Sequence, residues 1–278
     1  MTEFLELEGG RIAYEVSGEG PLVVLEHGMG DTRHAYRFLI PPLVAAGYRV
    51  AAADLRGHGE SSTGWPSYTR TDTAADILAL IRHLGGPAVI VGHSFAGGSA
   101  TIAAADAPEL VRAIAEVDPF TQVPKLSLGA FLANRRYRRG GLRLIGTALT
   151  GRLGVWMSYL NVAFPGRRPA DHAEVMAALA ANLREPGRMD AARAMGRSQP
   201  SDAAAKLGGI SCPALVFMGT LDSDWPDPKA EGDRIVAGMP AGLGQLVMID
   251  GAGHYPHTQF PDQVLAALLP FLKEHAGA

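Results

Sequence analysis

Short apolar runs alternate with longer segments of helically spaced apolar residues through the first 117 residues. The runs 22–25 and 88–91 are entirely apolar, which is typical of strands buried on both faces of a parallel sheet. Between them, Ile77, Leu80 and Ile81 recur at the spacing of one helix face. The pattern predicts strands at 3–7, 11–16, 22–25, 48–53, 88–91 and 111–117, and helices at 33–45, 72–84 and 96–107. This alternation indicates βαβ units and a mostly parallel sheet covered by helices.

The alternation stops at residue 119 and resumes near residue 207. Between these points the sequence predicts helices, at 126–137 and 172–183, and contains no convincing strand. The later part predicts strands at 214–218 and 245–249 and helices at 229–237 and 262–275. We therefore expect an α/β fold with a doubly wound, mostly parallel sheet. Residues 1–118 and 207–278 would form its core, and 119–206 would form a helical cap inserted after the sixth strand.

The composition of the chain indicates a globular protein in a reducing compartment. Of its 278 residues, 47% are hydrophobic and 19% are charged, which is more apolar and less charged than disordered chains are. The single cysteine, Cys212, excludes an internal disulfide and precedes an apolar run, so we expect it to be buried. The acidic start lacks the features of a signal peptide, and no apolar run of about 18 residues predicts a membrane span. A cytoplasmic protein is expected.

The net charge of −3 combines two segments of opposite sign. Residues 119–210 contain fourteen Lys or Arg and five Asp or Glu, a net charge of +9, and the remainder carries −12. A basic segment within an acidic chain supports the interpretation of 119–206 as a separate structural unit. The segment has too few aromatic and base-reading motifs to predict nucleic-acid binding.

The most informative motif is Gly92-His93-Ser94-Phe95-Ala96-Gly97, which follows a predicted strand and opens a predicted helix. A serine at such a point lies on a sharp turn, so the residues two positions away must be small. Gly92 and Ala96 meet this requirement. Ser94 would then project above the carboxyl ends of the strands, where open α/β sheets bind ligands. The Phe95 N–H would face the same space from a helix N-terminus, a favourable place for developing negative charge.

With this motif the chain resembles the α/β-hydrolase superfamily, and the resemblance covers nearly its whole length. The family motif usually ends in glycine at the position of Ala96, where the small alanine meets the same steric need. The resemblance implies a serine hydrolase whose nucleophile is Ser94. It also implies that the insertion after the sixth strand forms a cap over that serine.

The segment His27-Gly28-Met29-Gly30 matches the family's second contribution to the oxyanion hole. The resemblance implies that the backbone N–H of Met29 acts there beside that of Phe95. His27 is expected to hold the turn by hydrogen bonds, and Glu26 is an unexpected residue in a buried strand. A further match, 54–61, resembles a self-bonded structural loop, so no chemical role is expected for its residues Arg56 and His58.

Two more matches supply the remaining groups of a triad in the family's chain order. Asp222 follows the strand at 214–218, and His254 follows the strand at 245–249. The chemistry needs all three groups, because a serine hydroxyl becomes a good nucleophile only when a neutral imidazole takes its proton. The imidazole in turn needs a carboxylate that fixes its tautomer and stabilises its charged form. His257 is three residues too late for the family position.

The identity of the acid remains open from the sequence. Asp222 occupies the family position, and Asp224 and Asp227 lie in the same loop. Asp118 is the main alternative acid, because it ends the strand at 111–117, where some relatives place this group. The extra carboxylates of the 222–228 loop can also serve as helix N-caps and turn residues.

The cap segment suggests an apolar small-molecule substrate. Its large apolar residues could line an acyl or alcohol pocket or could simply pack the cap onto the sheet. These residues are Phe120, Phe131, Leu132, Trp156, Met157, Tyr159, Leu160 and Phe164. The basic cluster at 135–139 with Arg143 could be a solvated face or could bind an anionic group.

The resemblance and the filled triad positions favour a carboxylesterase-like serine hydrolase. Lactonase, thioesterase and carbon–carbon bond hydrolase activities use the same triad, and a ligand-sensing protein can share the scaffold. Enzymes that release halide or open epoxides use an aspartate at the position of Ser94, so the serine disfavours them. The His and Cys spacings match no metal-site template, so neither a metal nor an organic cofactor is expected.

Overall fold

The computed structural model describes residues 1–125 and 127–277 and contains one sheet of eight strands. The strands are Glu3–Leu7 (β1), Gly10–Ser17 (β2), Leu22–Glu26 (β3), Arg49–Ala53 (β4), Ala88–His93 (β5), Val111–Val117 (β6), Ala214–Gly219 (β7) and Gly244–Ile249 (β8). Their order across the sheet is β1-β2-β4-β3-β5-β6-β7-β8. β2 pairs antiparallel with both β1 and β4, and β3 to β8 run parallel, which confirms the predicted α/β class.

Helices cover both faces of the sheet and fill the segment between β6 and β7. They are Ile40–Ala45 (α1), Arg70–His83 (α2), Phe95–Asp106 (α3), Leu128–Ala133 (α4), Arg135–Thr150 (α5), Leu153–Ala163 (α6), His172–Asn182 (α7), Arg188–Arg197 (α8), Ser201–Lys206 (α9), Pro228–Gly238 (α10), Pro256–Gln259 (α11) and Pro261–His275 (α12). The six helices α4 to α9 lie in the segment 119–206, which we call the helical insert. Within 1–125 and 127–277, no helix is both long and apolar enough to cross a bilayer.

Two predicted helices are each divided in the structure. The 33–45 helix becomes a 3₁₀ turn followed by α1, because prolines at positions 41 and 42 lack the N–H that would continue a helix from the preceding turn. The predicted 126–137 helix begins outside the described residues at Leu126. Further on it breaks at Asn134, which has an extended backbone and whose side-chain oxygen accepts the Tyr137 N–H at the start of α5.

The core consists of two apolar layers, one on each face of the sheet. Val24 and Ile90 face one layer with α2 and α3, while Leu25 and Val91 face the other with α1 and α12. Burial on both faces explains why these strands have continuous apolar sequences. Cys212 is buried, as predicted.

The residues of interest lie just after the carboxyl ends of the parallel strands, at one edge of the sheet. The segments that follow their carboxyl ends contain, in sheet order, Met29 after β3, Ser94 after β5, Asp118 after β6, Asp222 after β7 and His254 after β8. The sheet order therefore brings residues far apart in sequence to the edge where parallel sheets bind ligands.

Candidate active site

Ser94 lies on a strained turn between β5 and α3. Its backbone has φ 52° and ψ −112°, a conformation that is rare for a residue with a side chain. The turn brings chain segments so close that a Cβ on Gly92 would lie 2.4 Å from the Ala96 carbonyl oxygen. A Cβ on Gly97 would similarly lie 2.5 Å from Pro119 Cβ. The small residues are therefore a steric requirement of the turn.

His254 and Asp222 are joined by a hydrogen bond at the same edge. Nδ1 of His254 donates to Oδ2 of Asp222 over 2.9 Å, and both side chains are buried. This bond leaves Nε2 of His254 for another partner. Ser94 and His254 line one cavity, and within the described residues no hydrogen bond joins Ser94 Oγ to the imidazole. Such bonds are often long without substrate and shorten when it binds.

A second carboxylate, that of Asp224, lies beside the same imidazole. Its Oδ2 is 3.5 Å from Nδ1 of His254, and Tyr159 of α6 donates its hydroxyl proton to this oxygen over 2.7 Å. The backbone N–H of Asp224 donates to Oδ1 of Asp222 over 2.9 Å. Asp224 therefore connects the helical insert to the His254–Asp222 pair, a link that the sequence analysis did not predict.

The buried groups set one another's protonation. Burial alone would lower the pKa of His254, but the charges of Asp222 and Asp224 outweigh it and raise that pKa to about 10. Burial would raise the pKa of Asp222, yet the facing His254 holds it below its ordinary value. For Asp224, burial prevails over the opposing effect of His254 and raises the pKa to about 6. The arrangement favours an ionised Asp222.

Asp118 lies next to Asp222 without bonding to the imidazole. Its Oδ1 accepts the Gly219 N–H over 2.9 Å, and its backbone has an unusual φ of 42°. Burial, and next the charge of Asp222, raise its pKa well above the ordinary value. Its Oδ2 has no N–H or O–H donor among the described residues, so a neutral carboxyl can itself donate to Asp222. Asp227 caps α10 by accepting the Ala230 N–H, the helix-capping role considered in the sequence analysis.

The backbone N–H groups of Met29 and Phe95 have no protein acceptor among the described residues. The two segments approach closely, since a Cβ on Gly28 would lie 3.0 Å from Ser94 Cβ. His27 is occupied elsewhere: Nδ1 donates to the Gly28 carbonyl and Nε2 accepts the Leu55 N–H. Burial lowers its pKa to about 4, which is consistent with a neutral structural residue.

The 54–61 loop is held by its own polar residues, as expected. His58 donates from Nδ1 to the Arg56 carbonyl and accepts the Gly30 N–H at Nε2. Arg56 forms a buried bidentate pair with Asp76 of α2. Neither side chain lines the cavity near Ser94.

Two residues that the sequence analysis did not single out position His254. His93 donates from Nε2 to the His254 carbonyl over 2.7 Å, and its ring packs on the His254 ring with centroids 4.8 Å apart. Gln259 accepts the Gly253 N–H and donates to the carbonyls of Pro165 and Arg167 in the insert. His93 adjoins Ser94 and could have been suspected on that ground, whereas no sequence signal distinguishes Gln259.

A cavity of about 500 Å³ opens between the sheet edge and the helical insert. Of the predicted lining residues, the structure places Phe120, Phe131, Trp156 and Tyr159 on its wall. The other four do not line it: Leu132 is exposed, and Met157, Leu160 and Phe164 pack within or against the apolar cluster of α6 and α7. The arginines of the basic cluster do not line the cavity, and three of them, Arg136, Arg138 and Arg143, bond to carbonyls or a serine.

Comparison with known proteins gives a consistent family. The model of the alpha/beta hydrolase family matches residues 22–267. A 2-(acetamidomethylene)succinate hydrolase of Mesorhizobium japonicum is 28% identical over 272 residues, covering 95% of this chain and 92% of that protein. Epoxide hydrolase A of Mycobacterium tuberculosis is 27% identical over 323 residues, covering 96% of each.

The similarity extends to solved structures. A thermophilic esterase from Thermogutta terrifontis is 26% identical and superposes with a TM-score of 0.76, covering 99% of this chain and 98% of that one. The family model runs from the first parallel strand into the last helix and so includes every loop at the carboxyl edge of the sheet. The chain therefore belongs to the alpha/beta hydrolase family.

Proposed function

We propose that this protein is a serine hydrolase that cleaves an ester, with Ser94 as nucleophile, His254 as general base and Asp222 as the acid. The observation that carries the proposal is the 2.9 Å bond from His254 to Asp222 beside a strained serine in the same cavity. The bond fixes the tautomer of His254, so that Nε2 can accept a proton. The esterase among the structural relatives supports an ester as the bond that is cleaved.

The proposed reaction has two stages. Ser94 Oγ attacks the ester carbonyl as His254 removes its proton, and the N–H groups of Met29 and Phe95 stabilise the resulting oxyanion. His254 then returns the proton to the departing alcohol, leaving an acyl group on Ser94. Water attacks the acyl-enzyme with His254 again acting as base, which releases the acid and regenerates the serine.

The cavity supports a small, largely apolar substrate. Its wall includes Phe120, Trp156 and Leu144, and its volume suits a molecule of modest size. We propose that the insert, 119–206, acts as a cap that selects the substrate, because helices α5, α6 and α8 form much of this wall. Lactones and thioesters react by the same steps, so the choice of bond rests on measured turnover. Opening an epoxide would require a carboxylate where this chain has Ser94.

A panel of p-nitrophenyl esters of increasing acyl length tests the proposal. The wild-type protein should hydrolyse the short members, and Ser94→Ala should lose turnover on the order of 10⁶-fold. The matched control is Ser99→Ala, which removes a buried hydroxyl from α3, the helix that begins directly after Ser94, and should retain activity. A fluorophosphonate should label the wild type at Ser94, as mapped by mass spectrometry.

Negligible turnover of every ester by a correctly folded wild type would instead favour a ligand-sensing protein. Turnover of lactones or thioesters alone would assign a different bond to the same three residues. Labelling at another residue would contradict Ser94 as nucleophile.

A further inference from the structure

A buried arginine, Arg70, lines the cavity from the first turn of α2. Arg70 is 4% exposed, and its side chain crosses α3 at Gly98. A Cβ on Gly98 would lie 2.8 Å from Arg70 Cδ, so the helix is indented where the arginine stem passes. The guanidinium then lies over the ring of Phe95, with Cζ 4.3 Å from the ring centroid. The stem is thus packed in place and the charged group is directed to the cavity wall.

The guanidinium of Arg70 is only partly satisfied by the protein. Nε donates to the Phe120 carbonyl over 3.1 Å and Nη1 to the Ser198 carbonyl over 3.2 Å. A guanidinium has five N–H donors, so these two bonds leave three donors without a protein acceptor among the described residues. Nη2 is not among the buried atoms that lack a partner, and the side chain borders the cavity. The remaining donors therefore have access to a bound molecule.

No carboxylate within 1–125 or 127–277 forms an ion pair with Arg70. The acid whose charge acts most on it is Asp202 of α9, and that carboxylate is already bonded to the backbone N–H and hydroxyl of Thr71. Burial lowers the pKa of Arg70 to about 10, so the group is still charged at neutral pH. A buried charge without a counterion is costly, whereas other buried arginines of this chain, such as Arg56 with Asp76, are paired.

The position of Arg70 relates it directly to Ser94. Phe120 donates its N–H to the Ser94 carbonyl over 3.1 Å and accepts the Arg70 Nε–H at its own carbonyl. Phe120 therefore connects the guanidinium of Arg70 to the backbone of Ser94 through two hydrogen bonds. The exposed side of the cavity is apolar, since Ile145 and Leu149 are more than half exposed and line it. Because Ser94 and Arg70 line the same cavity of about 500 Å³, a single small molecule can contact both.

We propose that Arg70 binds a carboxylate of the substrate, so that the preferred ester is a half-ester or another ester that carries a free carboxylate. The proposal rests on the hydrolase function given above and specifies its substrate class. The fork of Nη1 and Nη2 can hold both oxygens of a carboxylate, and a bound anion would neutralise the buried charge. Arg70 would position the substrate without taking part in bond cleavage.

Two substrates that differ only in charge test the proposal. Mono-p-nitrophenyl glutarate carries a free carboxylate, and its methyl ester is a neutral analogue with the same scissile bond. The wild type should prefer the carboxylate in kcat/KM. In Arg70→Gln this preference should fall on the order of 10- to 100-fold, mainly through KM, because a hydrogen-bonded charge is lost. The preference of Arg70→Lys, which keeps the charge but not the bidentate geometry, should lie between those of the wild type and Arg70→Gln.

The matched control is Arg193→Gln. Arg193 also donates to two backbone carbonyls in the insert, those of Ala148 and Leu149, but does not line the cavity. The preference of the Arg193→Gln variant for the carboxylate substrate should equal that of the wild type. General damage to the fold would lower both kcat/KM values together, so the ratio distinguishes it from loss of the subsite. A wild type without preference, or an unchanged ratio in Arg70→Gln, would overturn the proposal.

A binding measurement separates this inference from the proposed reaction. Calorimetric titration of Ser94→Ala with monomethyl adipate and with dimethyl adipate needs no turnover. The monoanion should bind at least on the order of tenfold more tightly, and adding Arg70→Gln should remove the difference. If the wild type hydrolyses no ester but the monoanion still binds through Arg70, the hydrolase proposal fails and the carboxylate site stands. Equal binding of both ligands would contradict the proposed carboxylate site, even if the protein is an active esterase.

Discussion

Tyr159 donates a 2.7 Å hydrogen bond to Asp224, and the accepting oxygen lies 3.5 Å from Nδ1 of His254. The tyrosine belongs to α6 of the helical insert, whereas both other residues follow strands of the sheet. The insert therefore does more than cover the cavity. It holds one of the two carboxylates whose charges raise the pKa of the proposed base.

The pH dependence of activity should reflect this pair of carboxylates. The proposed base must be neutral to accept the Ser94 proton, and the pKa of His254 is raised to about 10. The kcat/KM of a neutral ester should therefore rise with pH through a midpoint above the ordinary histidine value of about 6.5. Asp224→Asn removes one raising charge, so the midpoint should move to lower pH by about one unit. A midpoint unchanged by Asp224→Asn would contradict the electrostatic role of this carboxylate.

Tyr159→Phe should move the same midpoint by a smaller amount and in the opposite direction, to higher pH. The tyrosine hydroxyl stabilises the charged form of Asp224 and so lowers its pKa. Without this bond the pKa of Asp224 rises from about 6, so the carboxylate is still ionised where His254 titrates. Its charge then lacks the hydroxyl that partly offsets it, and it stabilises the charged form of His254 more strongly. Tyr137→Phe is the matched control, because Tyr137 also lines the cavity from the insert but forms no hydrogen bond to Asp224 in the described structure. Identical pH profiles for Tyr159→Phe and Tyr137→Phe would exclude the coupling.

The sheet was predictable from the sequence because its central strands are buried on both faces. Their apolar runs stand out from the amphipathic helices between them, and the strained turn at Ser94 imposes small residues that are visible in the sequence. The lining of the cavity was only half predictable. Leu132 and Trp156 are both large and apolar, and only the docking of the insert decides that the first is exposed and the second is buried.

The acid was harder to predict because two aspartates end adjacent strands. Asp118 and Asp222 follow β6 and β7, which pair directly in the sheet, so the sequence offers two carboxylates near His254. Which of them reaches the imidazole depends on backbone geometry that no local pattern encodes. In the structure the turn at Asp118 directs its Oδ1 to the Gly219 N–H, while Asp222 bonds to His254.

Substitution of the two aspartates should have unequal effects on turnover. Asp222→Asn keeps the shape but removes the charge that orients and stabilises His254, so turnover of a neutral ester should fall on the order of 10⁴-fold. Asp118→Asn should cost on the order of tenfold or less, because the raised pKa of Asp118 favours its neutral form and the amide can still accept from Gly219 and donate to Asp222. Steady-state kinetics and melting temperatures of both variants check the expectation.

The opposite ranking would assign the acid to the end of β6. A comparable, partial loss in both variants would show that the imidazole can use either carboxylate. Asp118→Leu tests the structural role of Asp118 separately from its charge, because this variant leaves the buried Gly219 N–H without an acceptor. We expect that variant to lose about 1–3 kcal/mol of folding free energy, which thermal or urea unfolding would detect.

The buried acid Glu26 should make the folded protein less stable as the pH rises. The residue is 3% exposed in β3, and burial, together with the nearby charges of Asp76 and Asp54, raises its pKa well above the ordinary value. A folded-state pKa above the unfolded value of about 4.3 means that the native state binds the proton more tightly. Its contribution to stability is therefore complete below about pH 4.3 and is lost as the pH rises towards the folded-state pKa, at about 1.4 kcal/mol per pH unit.

Glu26→Gln removes this titration while keeping the shape of the side chain, so its advantage over the wild type should grow with pH. Near pH 4.5 the two proteins should have similar melting temperatures, and at pH 8 the variant should melt at the higher temperature, by roughly 2–4 °C for each kcal/mol of added stability. Glu8→Gln is the control, because Glu8 is exposed and its loss should leave the pH dependence of melting unchanged. Parallel melting curves for Glu26→Gln and the wild type from pH 4.5 to 8 would show that Glu26 is charged in the folded protein. The unexpected acid of β3 would then need a cationic partner that offsets its burial.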